Sequence, residues 1–174
     1  MSGLHVALCV PVRDLHQEEI LERAAHGEDA AAYSVVCAES AGGATLDGGA
    51  GNDILIGNAA NQTLTGGTGN DIFGFEQPLS SPSTISDFNN TTEQDQIAVS
   101  AGGFGGGLTP GMDLSAVFET SGDNQFVSAD SRFHFDTGNQ TLYYSADGTS
   151  GSEVAMAELP AGTILQANNL LIVR

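Results

Sequence analysis

The sequence contains no lysine, and its four basic residues stand against 22 acidic ones, for a formal net charge of −18. A surface of this sign repels nucleic-acid phosphates and anionic membranes, so neither is expected as a partner. It suits divalent cations, whose binding relieves the repulsion among the carboxylates. Only 15% of the residues are charged and 40% are hydrophobic, so the acidity reflects missing bases and a folded core is expected.

Long apolar runs and a cysteine framework are also missing. No run approaches the roughly 18 residues of a membrane helix, so membrane insertion is not expected. The apolar stretch Leu4–Val12 lacks a basic flank and a small-residue cleavage site, so we do not predict an N-terminal secretion signal there. Two cysteines, Cys9 and Cys37, are too few for a framework, and the sequence leaves open whether they pair.

Residues 1–43 form the first of three predicted regions, a small α/β segment whose function the sequence does not indicate. Asp14 and Gln17 have capping-box spacing, and Gly27 is a plausible stop, which predicts a helix over about 15–26. The apolar stripe of this helix comprises Leu15, Ile20, Leu21, Ala24 and Ala25. Tyr33–Cys37 is a possible strand.

The second region, residues 44–75, contains a repeat. GGAGNDILI at 48–56 returns as GGTGNDIFG at 66–74, with GNAANQTLT between them, and large apolar residues recur every nine positions at Leu46, Leu55, Leu64 and Phe73. A nine-residue period with one inward apolar residue suits half a turn of a flat parallel β-roll, in which six residues turn and three form a strand. Repeats two apart should therefore stack, with turns 48–53 and 66–71 on one edge and turn 57–62 on the other.

The two stacked turns predict a metal site. Each contains three glycines, which allow carbonyls to point to a common centre, and each ends in a carboxylate, Asp53 or Asp71. Such an all-oxygen cage suits Ca²⁺, with Mg²⁺ second and zinc or copper disfavoured by the absence of soft ligands. The candidate backbone ligands are the oxygens of Gly48, Gly49, Ala50, Gly51, Gly66, Gly67, Thr68 and Gly69.

One well-formed site is expected rather than three. The middle repeat has Gln62 where the others have aspartate, and no second acidic turn stacks on its edge. Asp47 and Asp87 flank the first and last turns and are candidates for the edge of the cluster. Asp95 is a weaker candidate.

The third region, residues 76–174, has β-type patterning. Phe133–Phe135 and Thr141–Tyr144 flank the turn sequence DTGN, which predicts a hairpin, and 153–159 and 165–173 are further candidate strands. His134 alternates with phenylalanines and is expected to face solvent. The glycine-rich run 102–107 is expected to be a flexible loop.

In the nonapeptides 48–56 and 66–74, the chain resembles the RTX (repeats-in-toxin) haemolysin-type calcium-binding nonapeptide family, whose motif is GGxGxDxUx. The downstream segments ISDF at 85–88, DQI at 95–97 and LYYSADG at 142–148 are also similar to the family's C-terminal region, as is the apolar tail at 165–173. The resemblance implies a calcium-binding β-roll at 44–75 joined to a C-terminal β-sandwich-like domain at 76–174. It also implies an extracellular location, reached through type I secretion machinery that reads an uncleaved C-terminal signal.

The sequence thus predicts a non-enzymatic, mostly β, calcium-binding module of a secreted protein, which folds when calcium arrives after export. No pair of carboxylates is placed for acid–base chemistry. The alternative is an extracellular adhesion or carbohydrate-binding module in which calcium only stiffens the scaffold. Tyr143 and Tyr144 would then be the candidate contacts.

Overall fold

The computed structural model describes residues 33–37, 43–57, 60–123 and 125–174 of the 174-residue chain. The helix predicted over 15–26 and the partner position Cys9 lie outside these ranges. The described part is mostly β, as predicted. None of its helices is long and apolar enough to cross a membrane.

Strands dominate the described chain, and the few helical segments are short. The strands are β1 (Tyr33–Cys37), β2 (Thr45–Ala50), β3 (Asn52–Gly57), β4 (Thr63–Thr68), β5 (Ile72–Phe75), β6 (Ser83–Ile85), β7 (Gln96–Ser100), β8 (Phe118–Ser121), β9 (Phe133–Asp136), β10 (Thr141–Tyr144), β11 (Val154–Glu158) and β12 (Leu170–Val173). The helix α1 spans Ala101–Phe104, and 3-10 turns span Leu114–Ala116 and Ala167–Asn169.

The strands form two sheets. Sheet A has the order β1-β3-β5-β7-β12 and is parallel throughout, and sheet B has the order β2-β4-β6-β11-β10-β9-β8. The chain passes from sheet B to sheet A between β2 and β3 and returns between β3 and β4. The first and third turns therefore lie on one edge of the roll and the middle turn lies on the other, as predicted.

The eighteen-residue stacking is confirmed by the strand register. Leu46 pairs with Leu64 in sheet B, and Leu55 pairs with Phe73 in sheet A. All four are buried in one core. The strands are longer than the predicted three residues, because β2 and β4 continue pairing through Gly49 with Gly67 and Ala50 with Thr68.

The roll continues beyond residue 75. Strand β5 pairs with β7, and β4 pairs with β6, so both sheets run through the predicted boundary between 44–75 and 76–174. The same core cluster includes Phe73 from one side of this boundary and Phe133 from the other. The C-terminal strand β12 pairs in parallel with β7, with Leu170 opposite Ile97.

The downstream hairpin is confirmed, since β9 pairs antiparallel with β10 across residues 137–140. The expectation that His134 faces solvent is wrong, because the residue is 0% exposed. Its ring centroid lies 5.4 Å from that of Phe126, and its Nε2 atom lies 2.5 Å from the carbonyl oxygen of Asp123.

The expectation of a flexible loop at 102–107 is wrong for its first half. Residues 101–104 form α1, which Ser100 caps by accepting the N–H of Gly103. Phe104 is buried and its ring lies edge-on to that of Tyr144 at 5.0 Å. A Cβ at Gly103 would overlap the carbonyl oxygen of Glu76, so this glycine is required for close packing.

Candidate metal site

The two GGxGND turns lie in direct contact, one above the other. Gly67 has a φ of 103° and its Cα is so close to the carbonyl oxygen of Gly49 that a Cβ would overlap it. Gly69 has a φ of 132° and stands in the same relation to Gly51. Only glycine tolerates both the positive φ and the close approach, so the glycines bring the carbonyls of the first turn against the second.

Oxygen atoms from both turns converge beside Gly48. A Cβ built on this residue would lie 2.7 Å from the carbonyl oxygen of Gly66 and 2.8 Å from Oδ2 of Asp53. At the equivalent place one turn on, a Cβ on Gly66 would collide with the carboxylate of Asp71. The space that these glycines leave clear is therefore faced by carboxylate and carbonyl oxygens, which is the donor chemistry that Ca²⁺ prefers. The residues present fit this ion.

The aspartates form a column through three layers. Asp53 donates its backbone N–H to Oδ1 of Asp71 at 2.8 Å, and Asp71 donates its own N–H to Oδ1 of Asp95 at 2.9 Å. All three side chains are buried, at 0, 1 and 2% exposure. A second ladder runs beside the column, because Asn52 Oδ1 accepts the N–H of Asn70 and Asn70 Oδ1 accepts that of Gln94.

The third layer, residues 86–95, replaces the glycines with acidic side chains. Asp87 accepts the N–H groups of Gly66 and Gly67 with its two oxygens, at 2.9 and 2.7 Å. Glu93 accepts the N–H of Gly69 at 3.2 Å. These bonds satisfy backbone N–H groups of the second turn. The third layer therefore continues the aspartate column, but it contacts the neighbouring turn with carboxylate side chains, where the first two layers contact each other through glycine backbone.

Burial and mutual repulsion raise the pKa values of two carboxyl groups in the column. The pKa of Asp71 is raised to about 6, mainly by burial. The hydrogen bond from the Asp53 backbone N–H lowers this pKa, and the charges of Asp95, Asp53 and Asp87 contribute to raising it. Burial likewise raises the pKa of Asp95 to about 6. A cation between the layers would remove the repulsion.

The structure brings some of the predicted metal ligands together and places others elsewhere. The structure brings together Asp53, Asp71 and the glycine turns, and it places Asp87 on backbone N–H groups of the second turn. Asp47 is exposed on β2, in register with Thr65. Within the described part of the chain, no three or more His, Cys, Asp or Glu side chains are grouped to hold a metal by themselves. A site here would therefore need further oxygens, such as those of backbone carbonyls.

Asp95, expected only as a weaker candidate, is the third member of the aspartate column. Its spacing from Asp71 is 24 residues instead of 18, because both half-turns of the last layer are longer. The detectable feature was the pattern of aspartate, one residue, then an inward apolar residue. It occurs at Asp53–Leu55, Asp71–Phe73 and Asp95–Ile97 alike.

The two tyrosines named as candidate carbohydrate contacts differ in exposure, since Tyr143 is half-buried and Tyr144 is buried. Tyr144 is buried and donates its hydroxyl to the carbonyl of Phe104 at 2.8 Å, so it is not available to contact a carbohydrate. His134 Nε2 lies 3.1 Å from Ser121 Oγ, which resembles part of a nucleophile–base pair. A carbonyl only accepts, so Nε2 donates to Asp123 and does not act as the base for Ser121.

No family model matches the chain, and no curated protein matches it. Among solved structures, the chain is similar to the AlgE6R3 subunit of the Azotobacter vinelandii mannuronan C5-epimerase. The identity is 27% and the TM-score 0.46, over 80% of this chain and 72% of that one. A likeness of this size leaves function to be decided by the residues themselves.

Proposed function

We propose that the chain is a calcium-binding β-roll module of a secreted protein. Calcium binds between the turns 48–53 and 66–71, held by Asp53, Asp71 and carbonyl oxygens of the glycine turns. The observation that supports this most strongly is the convergence of Gly66 O and Asp53 Oδ2 beside Gly48, within a buried column of aspartates.

Calcium binding would be coupled to folding. The column places three buried carboxylates on successive layers, and the third layer adds Asp87 and Glu93 at hydrogen-bond distance from the second turn. Closing these layers without a cation requires the carboxylates to take up protons or remain charged in a poorly solvated place. The free energy of calcium binding would therefore appear as free energy of folding.

Such coupling suits export before folding. In the folded chain the C-terminal strand β12 is paired with β7, and Leu170, Ile172 and Val173 are buried. A type I exporter that reads this tail would need it free of the sheet, which requires a chain that has not yet closed. Low calcium inside the cell and higher calcium outside would give that order of events. This sequence of export and folding is part of the proposal.

A calcium titration followed by far-UV circular dichroism tests the proposal. The full chain, stripped with a chelator, is titrated with Ca²⁺ and separately with Mg²⁺. The double variant Asp53→Asn/Asp71→Asn is compared with Asp130→Asn/Glu158→Gln, which also removes two negative charges but at exposed positions.

We expect a saturable gain of β signal with Ca²⁺ at concentrations where Mg²⁺ has little effect. The exposed-site variant should respond like the parent chain, and the column variant should not respond. An equal response in both variants would move calcium away from the proposed turns. No response in the parent chain would remove calcium from the function.

A further inference from the structure

Asp87 stands where a third repeat would have its first glycine. Strand β6 pairs with β4 so that Ile85 lies opposite Leu64. The register continues past the strand, because Ser86 donates its N–H to the Leu64 carbonyl at 2.9 Å. Asp87 is therefore the residue one layer on from Gly66, and it brings a carboxylate to a position where the two stacked turns have no side chain.

The residues on either side of Asp87 are anchored. Ser86 Oγ lies 2.7 Å from Thr65 Oγ1 on the neighbouring strand. Phe88 is buried, and its ring centroid lies 6.1 Å from that of Phe73 in the core. Asp87 itself is half-buried between them. Its carboxylate is thus held in place against the second turn.

This carboxylate accepts two successive N–H groups of the second turn. Oδ1 accepts the N–H of Gly66 at 2.9 Å, and Oδ2 accepts that of Gly67 at 2.7 Å. Successive N–H groups that point the same way form a concavity that attracts an anion. Hydrogen bonds to a charged acceptor are also stronger than those to a neutral one. Asp87 therefore fixes the orientation of the two peptide groups that begin the turn.

One of these peptide groups has its other end in the candidate metal site. The N–H of Gly67 and the carbonyl of Gly66 belong to one trans peptide group, in which the two bonds point in opposite directions. The Gly66 oxygen accordingly lies on the side of the first turn, 2.7 Å from where a Cβ of Gly48 would be. The bond to Asp87 sets the direction of this oxygen. It also makes the oxygen more negative, because hydrogen bonds in series polarise one another.

Glu93 makes a similar bond with a different consequence. It is also half-buried, and it accepts the N–H of Gly69 at 3.2 Å. The carbonyl of that peptide group belongs to Thr68, and its oxygen accepts the N–H of Gly51 at 2.9 Å. Glu93 thus supports the contact between the two turns, whereas Asp87 orients an oxygen that faces the candidate metal site.

We propose that Asp87 is a positioning residue of the calcium site. Its carboxylate holds the Gly66–Gly67 peptide group by the N–H end, so that the carbonyl oxygen at the other end is aimed and polarised toward the ion. In this role Asp87 shapes the site without being a ligand, since both of its oxygens are bonded to N–H groups. The inference rests on the proposed function, because the site concerned is the one between turns 48–53 and 66–71.

Nuclear magnetic resonance on the calcium-saturated parent chain tests the contact. Hydrogen bonds transmit scalar couplings, so we expect couplings from the amide nitrogens of Gly66 and Gly67 to the side-chain carboxyl carbon of Asp87. Both bonds should persist when calcium is bound. Absence of both couplings in the folded, calcium-saturated protein would overturn the proposal, because Asp87 would then have left the N–H groups.

A matched pair of variants tests the effect on binding. Asp87→Asn and Glu93→Gln each remove one negative charge from the third layer and keep the shape of the side chain. Asparagine accepts only through Oδ1, so one N–H of the turn loses its acceptor. Calcium affinity, measured by competition with a chelating dye, should fall about tenfold in Asp87→Asn, as for one lost charge-assisted hydrogen bond. It should fall no more than about threefold in Glu93→Gln, the size of a partly screened charge effect. Equal losses would overturn the proposal.

A count of water molecules on the bound ion separates positioning from a loss of stability. Eu³⁺, which also prefers oxygen ligands, replaces calcium, and its luminescence lifetimes in H₂O and D₂O give the number of coordinated waters. At saturation, the ion in Asp87→Asn should carry more water than in the parent chain, because the Gly66 oxygen is no longer held toward it. Glu93→Gln should match the parent.

The outcomes distinguish the two proposals. Unchanged hydration of the ion in Asp87→Asn, in a parent chain that binds calcium, would overturn the positioning role and leave the proposed function standing. A parent chain that binds neither calcium nor Eu³⁺ would overturn the proposed function and the positioning role with it.

Discussion

Replacing Asp71 by asparagine should have opposite effects with and without calcium. Asp71 is the middle of the aspartate column, 1% exposed, and burial raises its pKa from 3.8 to about 6. A shift of that size corresponds to about 3 kcal/mol of cost for the charged form at pH 7. Asparagine has nearly the same shape, and its Oδ1 can still accept the N–H of Asp53. Asp71→Asn should therefore stabilise the calcium-free protein by about 1–3 kcal/mol, the lower figure allowing for the weaker hydrogen bond to a neutral acceptor.

The same substitution removes a charged ligand when calcium is present. A loss of about 3 kcal/mol, typical of one charge-assisted interaction, weakens calcium binding on the order of 100-fold. Urea unfolding followed by circular dichroism at pH 7, in chelator and in millimolar calcium, measures both effects, with Asp130→Asn as the exposed control. The reasoning is refuted if Asp71→Asn is less stable than the parent in chelator, or if it keeps the parent's stabilisation by calcium.

Three further predictions concern pH, the turns and the C-terminal half. Because the pKa values of Asp71 and Asp95 are raised in the folded state, the folded protein binds more protons than the unfolded chain. In chelator its stability should therefore fall as pH rises from about 4 to about 6, by at most about 1.4 kcal/mol per pH unit for each carboxyl. A stability that rises over this interval in urea unfolding would contradict the assignment. Gly67→Ala should cost at least about 2 kcal/mol of stability, because its Cβ would overlap the Gly49 carbonyl at a positive φ. Gly43 also has a positive φ but open space around it, so Gly43→Ala should cost about 1 kcal/mol. Equal losses of thermal stability would mean that the turns do not touch. Tyr144→Phe should lose about 1 kcal/mol with the hydrogen bond to Phe104, and Tyr143→Phe, on a half-buried ring, should lose less; the reverse order would place the wrong tyrosine in the core.

Much of the roll follows from the spacing of a few residues. A large apolar residue every nine positions fixes which side chains point inward, and the doubled period fixes which strands pair. The register of Leu46 with Leu64 and of Leu55 with Phe73 was predictable for this reason. The requirement for glycine at 67 and 69 follows from the same repeat, because a stacked carbonyl leaves no room for a Cβ.

The rest depends on contacts that no local pattern records. Asp95 joins the column through a longer turn, and a fixed period misses any insertion that keeps the strand in register. His134 follows the alternation of its strand, opposite in direction to Phe133 and Phe135. It is buried nevertheless, because Asp123 and Phe126 pack against it. The continuity of both sheets past residue 75 depends on long-range pairing of β6 and β7, which a change of composition in the sequence does not reveal.

The most direct test of the central claim is a crystal structure of the full chain grown in calcium, with anomalous data to identify the ion. We predict a calcium ion between the turns 48–53 and 66–71, within about 2.3–2.6 Å of oxygens from Asp53, Asp71 and the glycine backbone. A structure in which these turns are stacked, calcium is present at millimolar concentration and no ion lies between them would contradict the account.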